Sequence, residues 1–522
     1  MIALGITLAL GFSGTWTTAA AAPPAAETST AIPPMPLKQA LHRFVQDQHL
    51  QIVYVTRVAD DVHTRGARAG LSQKEALGAL LRGTGLTFRY IDAKTIAISR
   101  AAEPPDTDPP SDPQRGQPDR QEQQAPTNLR TVVVTGTRAA NRTAVQSLSP
   151  IDVLSSQDLR ATGAPDLTSA LRTLLPSINF AQPSDVDGNE AIQSVQLRGL
   201  APNQVLVLIN GKRQHSTSIV NVDRKTYSSG SEGFDFNSIP MNAIDHIEVL
   251  RDGAAAQYGS DAIAGVVNII LKGGARHGTI GVTHGQYFAG DGSTWQARAD
   301  GGVPLGSKGW IHLSVNYEHK EATNRAGPDF RYPGDPTYGT VTFHYGQPKR
   351  QRKQAGINLQ YSFSPHAQLY GYVLYSKRHP TSNGYFRSLS QYANHPAAVA
   401  LYPRGYLPVE ERDIQDDTET LGLRGTILDG WHYDISVNGG GNHVKSHVRH
   451  SFNYALGAAS PTRFYTGTTA IRDKIVNADF TRSFAPGWLN NPLTVSWGVA
   501  YRDQTYTTRS GERASYVGSG SQ

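Results

Sequence analysis

The sequence contains no cysteine. That single absence excludes disulfides, thiolate metal centres and cysteine nucleophiles together. It does not fix the compartment, because cysteine-free chains occur in reducing cytoplasm and in cell envelopes alike. No basic run of five or more residues occurs, and a formal net charge of +6 is small for 522 residues. Nothing therefore marks a nucleic-acid partner. The patterns G-x-x-x-x-G-K-[ST], H-E-x-x-H and G-x-S-x-G are also missing, so no phosphate-cradle, zinc-protease or serine-hydrolase signature is present. After the N-terminal residues, no stretch reaches the ~18 uninterrupted apolar residues that a membrane helix needs. A membrane-resident form of this chain would have to be a β-barrel. What stands out instead is 51 Gly and 23 Tyr.

Residues 1–22, MIALGITLALGFSGTWTTAAAA, read as a secretory signal. The apolar stretch Met1–Phe12 precedes small residues at Ala19–Ala22 that offer a cleavage site. The positively charged start is missing, which a start codon placed too far downstream would explain. Residues 32–99 follow as a compact α+β unit. Leu37, Ala40, Leu41, Phe44 and Val45 fall at helical spacing, and a strand is expected at Gln51–Val55. Ser72 and Glu75 form a capping box ahead of Ala76, Leu77, Leu80 and Leu81, and Gly83 and Gly85 stop that helix. Strands at Leu86–Ile91 and Thr95–Ser99 close the unit. Residues 101–130 are rich in proline, glutamine and mixed charge, with nothing to bury, and read as a disordered linker.

Residues 131–138, TVVVTGTR, are a strand-prone segment at the end of that tether. Such a segment can add itself to the sheet edge of another protein. Residues 145–274 then form a second globular unit. It opens with a strand, takes Asp158 and Asp166 as helix starts, and continues through SVQLRGLAPNQVLVLINGKRQ as strand, turn, strand and turn. It ends in IDHIEVLRDGAAAQYGSDAIAGVVNIILKGG, two strands around a Gly/Ala-rich middle. Gly259 and Gly265 allow backbone conformations closed to larger residues. Ala254–Ala256 and Ala262–Ala264 suit a place where an enclosing wall excludes bulk.

From residue 278 the hydropathy alternates with period two. In Ile311-His312-Leu313-Ser314-Val315-Asn316-Tyr317-Glu318 the odd positions are apolar and the even ones polar. Residues 357–363 and 493–502 alternate likewise. This is the lipid-out, lumen-in signature of a transmembrane barrel, although a soluble sandwich also alternates. Connection lengths arbitrate. Short turns fall around Pro304–Gly309, at Ser364-Pro365 and at Asp429-Gly430. Long polar loops fall between them, at about 320–349 and 378–416, as periplasmic turns and outer loops should.

The string GLSQKEALGALLRGTGLTFRYIDAKTIAIS closely resembles the STN domain, the short periplasmic domain shared by secretins and TonB-dependent transducers. TVVVTGTR resembles the TonB box, whose contact residues would be Thr131, Val132, Val133, Val134 and Thr135. The unit at 145–274 resembles the plug domain of TonB-dependent outer-membrane receptors. Leu197-Arg198-Gly199, Val207–Gly211, Ile247–Arg251, Gln257-Tyr258-Gly259 and Gly265–Ile270 carry that resemblance, with Gly199, Gly211, Tyr258, Gly259, Gly265 and Asn268 as motif positions. Asp252-Gly253 stands where the family usually has Gly-Pro. The resemblance implies an α+β signalling domain, an α+β plug, and the first part, about nine strands, of an antiparallel transmembrane barrel of about 22. Residues 275–522 are too few for that number, so the chain reads as C-terminally incomplete.

The resemblance also implies function. The expected protein is a receptor in the outer membrane of a Gram-negative bacterium, with its N-terminal domain in the periplasm. It is no enzyme and holds no cofactor. Its partners would be TonB with its inner-membrane energising proteins, an inner-membrane anti-sigma regulator, outer-membrane lipid and a small-molecule ligand. A ferric siderophore is the first choice of ligand, and haem, cobalamin or an oligosaccharide would fit the same scaffold. Plug arginines at the positions of Arg198 and Arg251 would pair with barrel carboxylates and lock the plug, and the ordinary alternative is a salt bridge within the plug. Tyr385, Arg387, Tyr402 and Arg404 are candidate ligand residues in the outer loops, where aromatic and arginine side chains suit an anionic, ring-bearing ligand. Outer loops commonly have that composition in any case. His443, His447 and His450 lie close together in sequence; His443 and His447 share a strand face and could hold a metal, though solvated histidines are the commoner reading. The alternative to a transporter is a truncated signalling or binding module without transport. A secretin-like channel would share residues 32–99 alone, and the plug blocks argue against it.

Overall fold

The computed structural model describes residues 31–48, 51–54, 63–84, 86–90, 95–100, 151–180, 191–221, 229–251, 258–275, 278–427, 430–488 and 492–518. The signal 1–22, the linker 101–130, the strand segment Thr131–Thr135 and Ala254–Ala256 lie outside these residues. The described residues fall into two compact units, one over 31–100 and one over 151–518.

The N-terminal unit runs β1 (Met35–Pro36), α1 (Leu37–Gln48), β2 (Gln51–Tyr54), β3 (His63–Thr64), α2 (Gln73–Leu81), β4 (Leu86–Tyr90) and β5 (Thr95–Arg100). Leu37, Ala40, Leu41 and Phe44 make the apolar stripe of α1, and it packs on Ala76, Leu77, Leu80 and Leu81 of α2. The α2 start is closed from both directions. Glu75 N donates to Ser72 Oγ at 3.4 Å and Ser72 N donates to Glu75 Oε2 at 3.1 Å. The strands order as β2-β5-β4, with β2 parallel to β5.

The second unit begins with the plug region: β6 (Ile151–Ser155), α3 (Ser156–Ala161), α4 (Leu167–Leu174), β7 (Ile178–Phe180), β8 (Val195–Leu197), β9 (Val205–Ile209), β10 (Lys212–Arg213), β11 (Ile244–Leu250) and β12 (Gly265–Leu271). Asp166 is the N-cap of α4 and accepts from Ser169 N at 2.9 Å. Asp158 does not start α3. Ser155 caps it, and Asp158 sits at the third helical position and reaches back to Ser155 N at 2.9 Å. The hydroxyl is short enough to turn onto the helix, and the carboxylate completes the box from inside.

Five strands pair in the order β10-β9-β12-β11-β6, with β9 and β12 parallel and the other pairs antiparallel. The central strands β9 and β12 are apolar apart from Asn268 and are buried on both faces except at Ile270, which is half-buried. At Gly265 and Ala262 the crowding comes from the plug itself and not from the wall that the sequence suggested. Gly265 has φ +149, and a Cβ there would stand 2.3 Å from Leu250 O and 2.6 Å from Leu197 Cδ2. Ala262 packs with Leu206, Leu208, Leu250 and Val266.

Nine further strands follow: β13 (Thr279–Gly285), β14 (Thr294–Leu305), β15 (Gly309–Lys320), β16 (Lys349–Ser364), β17 (Ala367–Asn383), β18 (Val409–Ile427), β19 (Trp431–Arg449), β20 (Arg463–Phe484) and β21 (Leu493–Ser510). They pair in chain order as an antiparallel meander. A short helix, α5 (Pro396–Leu401), interrupts the loop between β17 and β18. Short turns alternate with long loops, which run over 321–348, 384–408 and 450–462. The loop expected at 378–416 is narrower because β17 continues to Asn383 and β18 starts at Val409.

The two faces of this sheet are inverted relative to a soluble protein. On β15, Leu313, Val315 and Tyr317 are 47%, 52% and 39% exposed, whereas His312, Ser314, Asn316 and Glu318 are 3%, 4%, 6% and 0% exposed. A sandwich in water would bury the first set and expose the second. The arrangement suits an apolar solvent outside and a polar interior. No described helix is long and apolar enough to cross a membrane, which says nothing of strands.

Candidate functional site

The polar face of the nine-stranded sheet holds the plug. Barrel arginines grip plug carboxylates on one side. Arg378 of β17 lies 2.6 Å from Asp235 Oδ2 as an ion pair and donates to Asp416 Oδ2 of β18 at 2.7 Å. Arg350 of β16 reaches Asp166 Oδ2 at 3.4 Å and Glu318 Oε1 of β15 at 2.7 Å, and Arg352 pairs with the other oxygen of Glu318. Burial pushes the Asp166 carboxyl up, but the Arg350 and Arg352 charges and the Ser169 amide outweigh it and hold it well below the carboxylate range. Plug lysines grip barrel carboxylates elsewhere. Lys212 Nζ lies 3.0 Å from Asp434 Oδ1 of β19, and Lys272 Nζ lies 2.9 Å from Asp300 Oδ2 of β14.

Neutral contacts fill the spaces between these pairs. Asn442 Oδ1 accepts from Ser218 N at 2.8 Å and from Ser218 Oγ at 2.7 Å, while Asn442 Nδ2 donates to Asp416 Oδ1 at 2.8 Å. Tyr372 OH donates to Ile209 O at 3.2 Å and accepts from Gln214 Nε2 at 3.0 Å. Gln354 Nε2 donates to Asn237 O at 2.9 Å. Buried charges are tolerated only when paired, so these contacts pin the plug in one position.

Of the two arginines expected to lock the plug, Arg251 makes the alternative contact, a bridge within the plug. Arg251 Nε stands 2.7 Å from Asp152 Oδ2, a bridge within the plug between β11 and β6, and the Arg251 side chain is 41% exposed. Arg198 is exposed at a turn with φ +56, and its amide donates to Ser177 O at 3.1 Å. Both flank plug strands as their motifs require, but charged wall contacts come from Asp166, Lys212, Asp235, Asp261 and Lys272. Those residues carried no motif. The available signal was a charged residue beside a buried strand or helix cap.

Of the plug motif residues, Gly211 and Asn268 meet at the tip of β9–β10, whereas Gly265 lies opposite Val205 at the far end of β9. Gly199, Gly211 and Gly259 have φ +77, +79 and +92. Asn268 Oδ1 accepts from Gly211 N at 3.0 Å and Asn268 Nδ2 donates to Glu248 Oε2 at 3.2 Å, so Asn268 fastens the hairpin tip to β11. Tyr258 packs against Leu206, Leu208, Leu250 and Val266. On the same strand as Glu248, His246 Nδ1 lies 2.9 Å from Asp245 Oδ2, and its Nε2 lies 3.5 Å from Glu248 Oε1. Burial disfavours the imidazolium, but those two carboxylates outweigh it and raise the His246 pKa to about 9.

The candidate loop residues are not brought together. Tyr385 packs edge-on against Phe343 at 4.9 Å, and the Arg331 guanidinium lies 4.4 Å from the Phe343 ring and 5.1 Å from Tyr385. Arg331 also forks onto Asp329 at 3.0 and 2.9 Å and holds that carboxyl at about 2. These groups line a cavity of about 380 Å³. Tyr402 lies apart, stacked on Tyr406 at 4.5 Å in a small loop core with Tyr392 and Phe452. Arg387 pairs with Tyr406 through the backbone, and Arg404 reaches Pro336 O at 3.5 Å. His443 and His447 lie four residues apart on β19, and His450 follows in the loop with φ +49. Among the described residues no three His, Asp or Glu side chains converge as a metal would need.

Comparisons with known proteins align with this geometry. A family model described as the TonB-dependent receptor plug domain matches residues 143–266. The vitamin B12 transporter BtuB of Vibrio cholerae is 33% identical over 197 residues, which cover 37% of this chain and 28% of the transporter. The ferric enterobactin receptor of Pseudomonas aeruginosa is 32% identical over 135 residues, covering 25% of this chain and 18% of the receptor. A crystal structure of a variant of the ferric enterobactin receptor PfeA from Pseudomonas aeruginosa superposes with TM-score 0.50 at 19% identity, over 69% of this chain and 49% of that one. That last likeness is one of fold. The chain spans less than a third of the length of these curated relatives.

Proposed function

We propose that this chain, a TonB-dependent receptor over its plug and nine barrel strands, serves active uptake of a scarce nutrient. It belongs to the outer membrane of a Gram-negative bacterium and is a receptor, not an enzyme. The observation that carries the proposal is the inverted sheet with a plug pinned inside it by buried ion pairs. A passive pore has no use for such an obstruction. An obstruction held by separable charge contacts suits a gate that is opened by work.

In this reading the ligand settles on the outer loops and the plug apex. TonB then pairs with Thr131–Thr135 as an added strand and pulls, using the inner-membrane proton gradient. The charge contacts to Arg350, Arg378, Asp300 and Asp434 are what the pull must break or rearrange. The ligand passes with no bond made or broken in it. A ferric siderophore is the first choice, supported by the aromatic and arginine groups around Phe343 and Tyr385. The longer match to a vitamin B12 transporter supports cobalamin as the second. Residues 32–99 would act as an STN signalling domain that touches an inner-membrane anti-sigma regulator, so occupancy also adjusts transcription.

The test is uptake of labelled ferric enterobactin and labelled cyanocobalamin by cells that depend on this protein. Deleting Thr131–Thr135 should abolish uptake and leave surface binding intact. Uptake that survives the deletion would refute the energised mechanism. Deleting residues 32–99 should remove ligand-induced transcription and spare uptake. A receptor that binds but never transports either probe would favour a signalling or binding module.

A further inference from the structure

Between α3 and the inward faces of β13–β15 lies a cavity of about 340 Å³, toward the end of the strands that carries the short turns. Its walls bring together Arg160 from the last turn of α3, Asn242, Lys272 at the plug exit, Arg298 and Asp300 on β14, and His312 on β15. None of these belongs to the motif set, and the transport reading uses only the Lys272–Asp300 pair.

The charges in this cavity do not balance. Asp300 is the one carboxylate among the lining residues, and it is already committed. It accepts from Lys272 Nζ at 2.9 Å and from the Thr279 hydroxyl. The guanidinium groups of Arg160 and Arg298 have no hydrogen-bond or ion-pair partner among the described residues. His312 is 3% exposed, yet neither ring nitrogen makes a hydrogen bond, and its Nε2 stands 3.4 Å from Asp300 Oδ2. Asn242 Nδ2 is used, donating to Ala299 O at 2.9 Å and Val315 O at 3.1 Å, while its buried Oδ1 is unpartnered. Arg160 is exposed and Arg298 half-buried, so water satisfies their guanidinium groups, but the buried ring nitrogens of His312 and Oδ1 of Asn242 are idle, which a native interior rarely allows.

We propose that this cavity binds a small multivalent oxyanion, a hydroxylated polycarboxylate or a phosphate. Two planar forks suit two oxyanion edges, because guanidinium groups pair bidentately with carboxylate and phosphate alike. His312 supplies a further donor, and Asn242 Oδ1 accepts the hydroxyl of a hydroxy acid or of monohydrogen phosphate. The occupant bridges α3 of the plug to β14 and β15 of the wall. It therefore stabilises the docked plug by mass action, with the logarithm of one plus its concentration over its dissociation constant. The volume falls within the usual range for small-ligand sites, ~300–1,000 Å³.

The test is isothermal titration of the purified full chain in detergent, with citrate and with inorganic phosphate as separate probes. Binding of either probe is expected, with citrate the tighter if the natural occupant is a polycarboxylate and phosphate the tighter if it is a phosphate. Arg298→Gln and Arg160→Gln should each weaken it at least about tenfold, as loss of one bidentate charge contact does. Both arginines lack partners in the free protein, so neither variant should unfold it. Thermal unfolding without anion checks this, and anion should raise the midpoint in the parent protein but not in the double variant. No binding of either probe at ~10 mM, a weak limit on the affinity scale, would overturn the proposal. Equal binding by the parent and the double variant would overturn it too. Neither result bears on nutrient uptake, which is measured separately.

Discussion

Replacing Arg378 by methionine should free the plug from the wall around Asp235. The Arg378 side chain is 1% exposed, and the carboxylates it joins, Asp235 and Asp416, are 1% and 4% exposed. Methionine fills much of the volume but leaves two buried carboxylates without their cation. Removing one partner of a buried ion pair costs about 3–5 kcal/mol, chiefly because of the charge left behind. The cost here should stay within that range despite two pairs. Asp235 keeps Gln193 N and Asn237 N as donors, each at 3.0 Å, and Asp416 keeps Asn442 Nδ2 at 2.8 Å. Local opening of residues 235–239 should then rise by roughly a hundred- to several-thousand-fold, which is that energy as a population ratio. Amide hydrogen exchange of the full chain in detergent reads this directly, because Phe236 N is held by Gln193 O at 3.0 Å and Ser238 N by Asp235 O at 3.0 Å. A triple variant, Arg378→Met with Asp235→Asn and Asp416→Asn, should recover most of the protection, since no uncompensated charge remains. Exchange in Arg378→Met as slow as in the parent would refute the claim that this charge contact holds the plug. Equally fast exchange in the triple variant would show that lost packing, not charge, was responsible.

Three further outcomes are expected. Gly265→Ala should destabilise the plug by at least ~1–3 kcal/mol, the usual cost of overpacking, because its Cβ would meet Leu250 O at 2.3 Å on a backbone that L-residues avoid; protease resistance of the folded plug measures it. Gly78→Ala, in the middle of α2 with nothing within 4 Å of the new carbon, should stabilise the N-terminal unit by about 0.5–1 kcal/mol, seen as a higher thermal midpoint. The His246 pKa is raised from 6.5 to about 9 in the fold, so its contribution is complete below about 6.5 and is lost as pH rises through about 9. The denaturant midpoint of the plug should fall across that window, and His246→Gln should flatten the fall.

Local pattern was legible where one rule governs a segment. Ser72 and Glu75 announced α2, and Asp166 announced α4 because a cap is a contact across three residues. The alternation in 311–318 announced a strand with two unlike solvents. Which solvent lay on which face required the structure, since Leu313 and Val315 would alternate identically in a soluble sandwich. Arg378 was assigned to a loop because Arg378, His379 and Pro380 look like one. The lumen tolerates polar residues facing inward, so β17 simply continues through them. The plug contacts were illegible for a related reason. Lys212 and Asp434 are 222 residues apart, and a charge on an alternating strand does not say what it will face. Motif likeness pointed to Arg198 and Arg251 instead, and Arg251 found a nearer carboxylate in Asp152.

The place of β6 has a mechanical consequence. It is an edge strand of the plug sheet, and among the described residues it is the first plug element reached from the N-terminal side. Its ladder to β11 has five rungs, from Ile151 opposite Leu250 to Ser155 opposite His246. Tension entering at Ile151 and directed across the strand loads one rung at a time, as in unzipping, so each step costs little more than a single net hydrogen bond, about 1 kcal/mol. The same tension directed along the strand would shear all five rungs together and meet far higher resistance. Strands β9 and β12, flanked on both sides and tied to the wall through Lys212 and Lys272, are shielded from either load. Direction, as much as strength, therefore decides whether a tug on this chain opens the plug or merely tightens it.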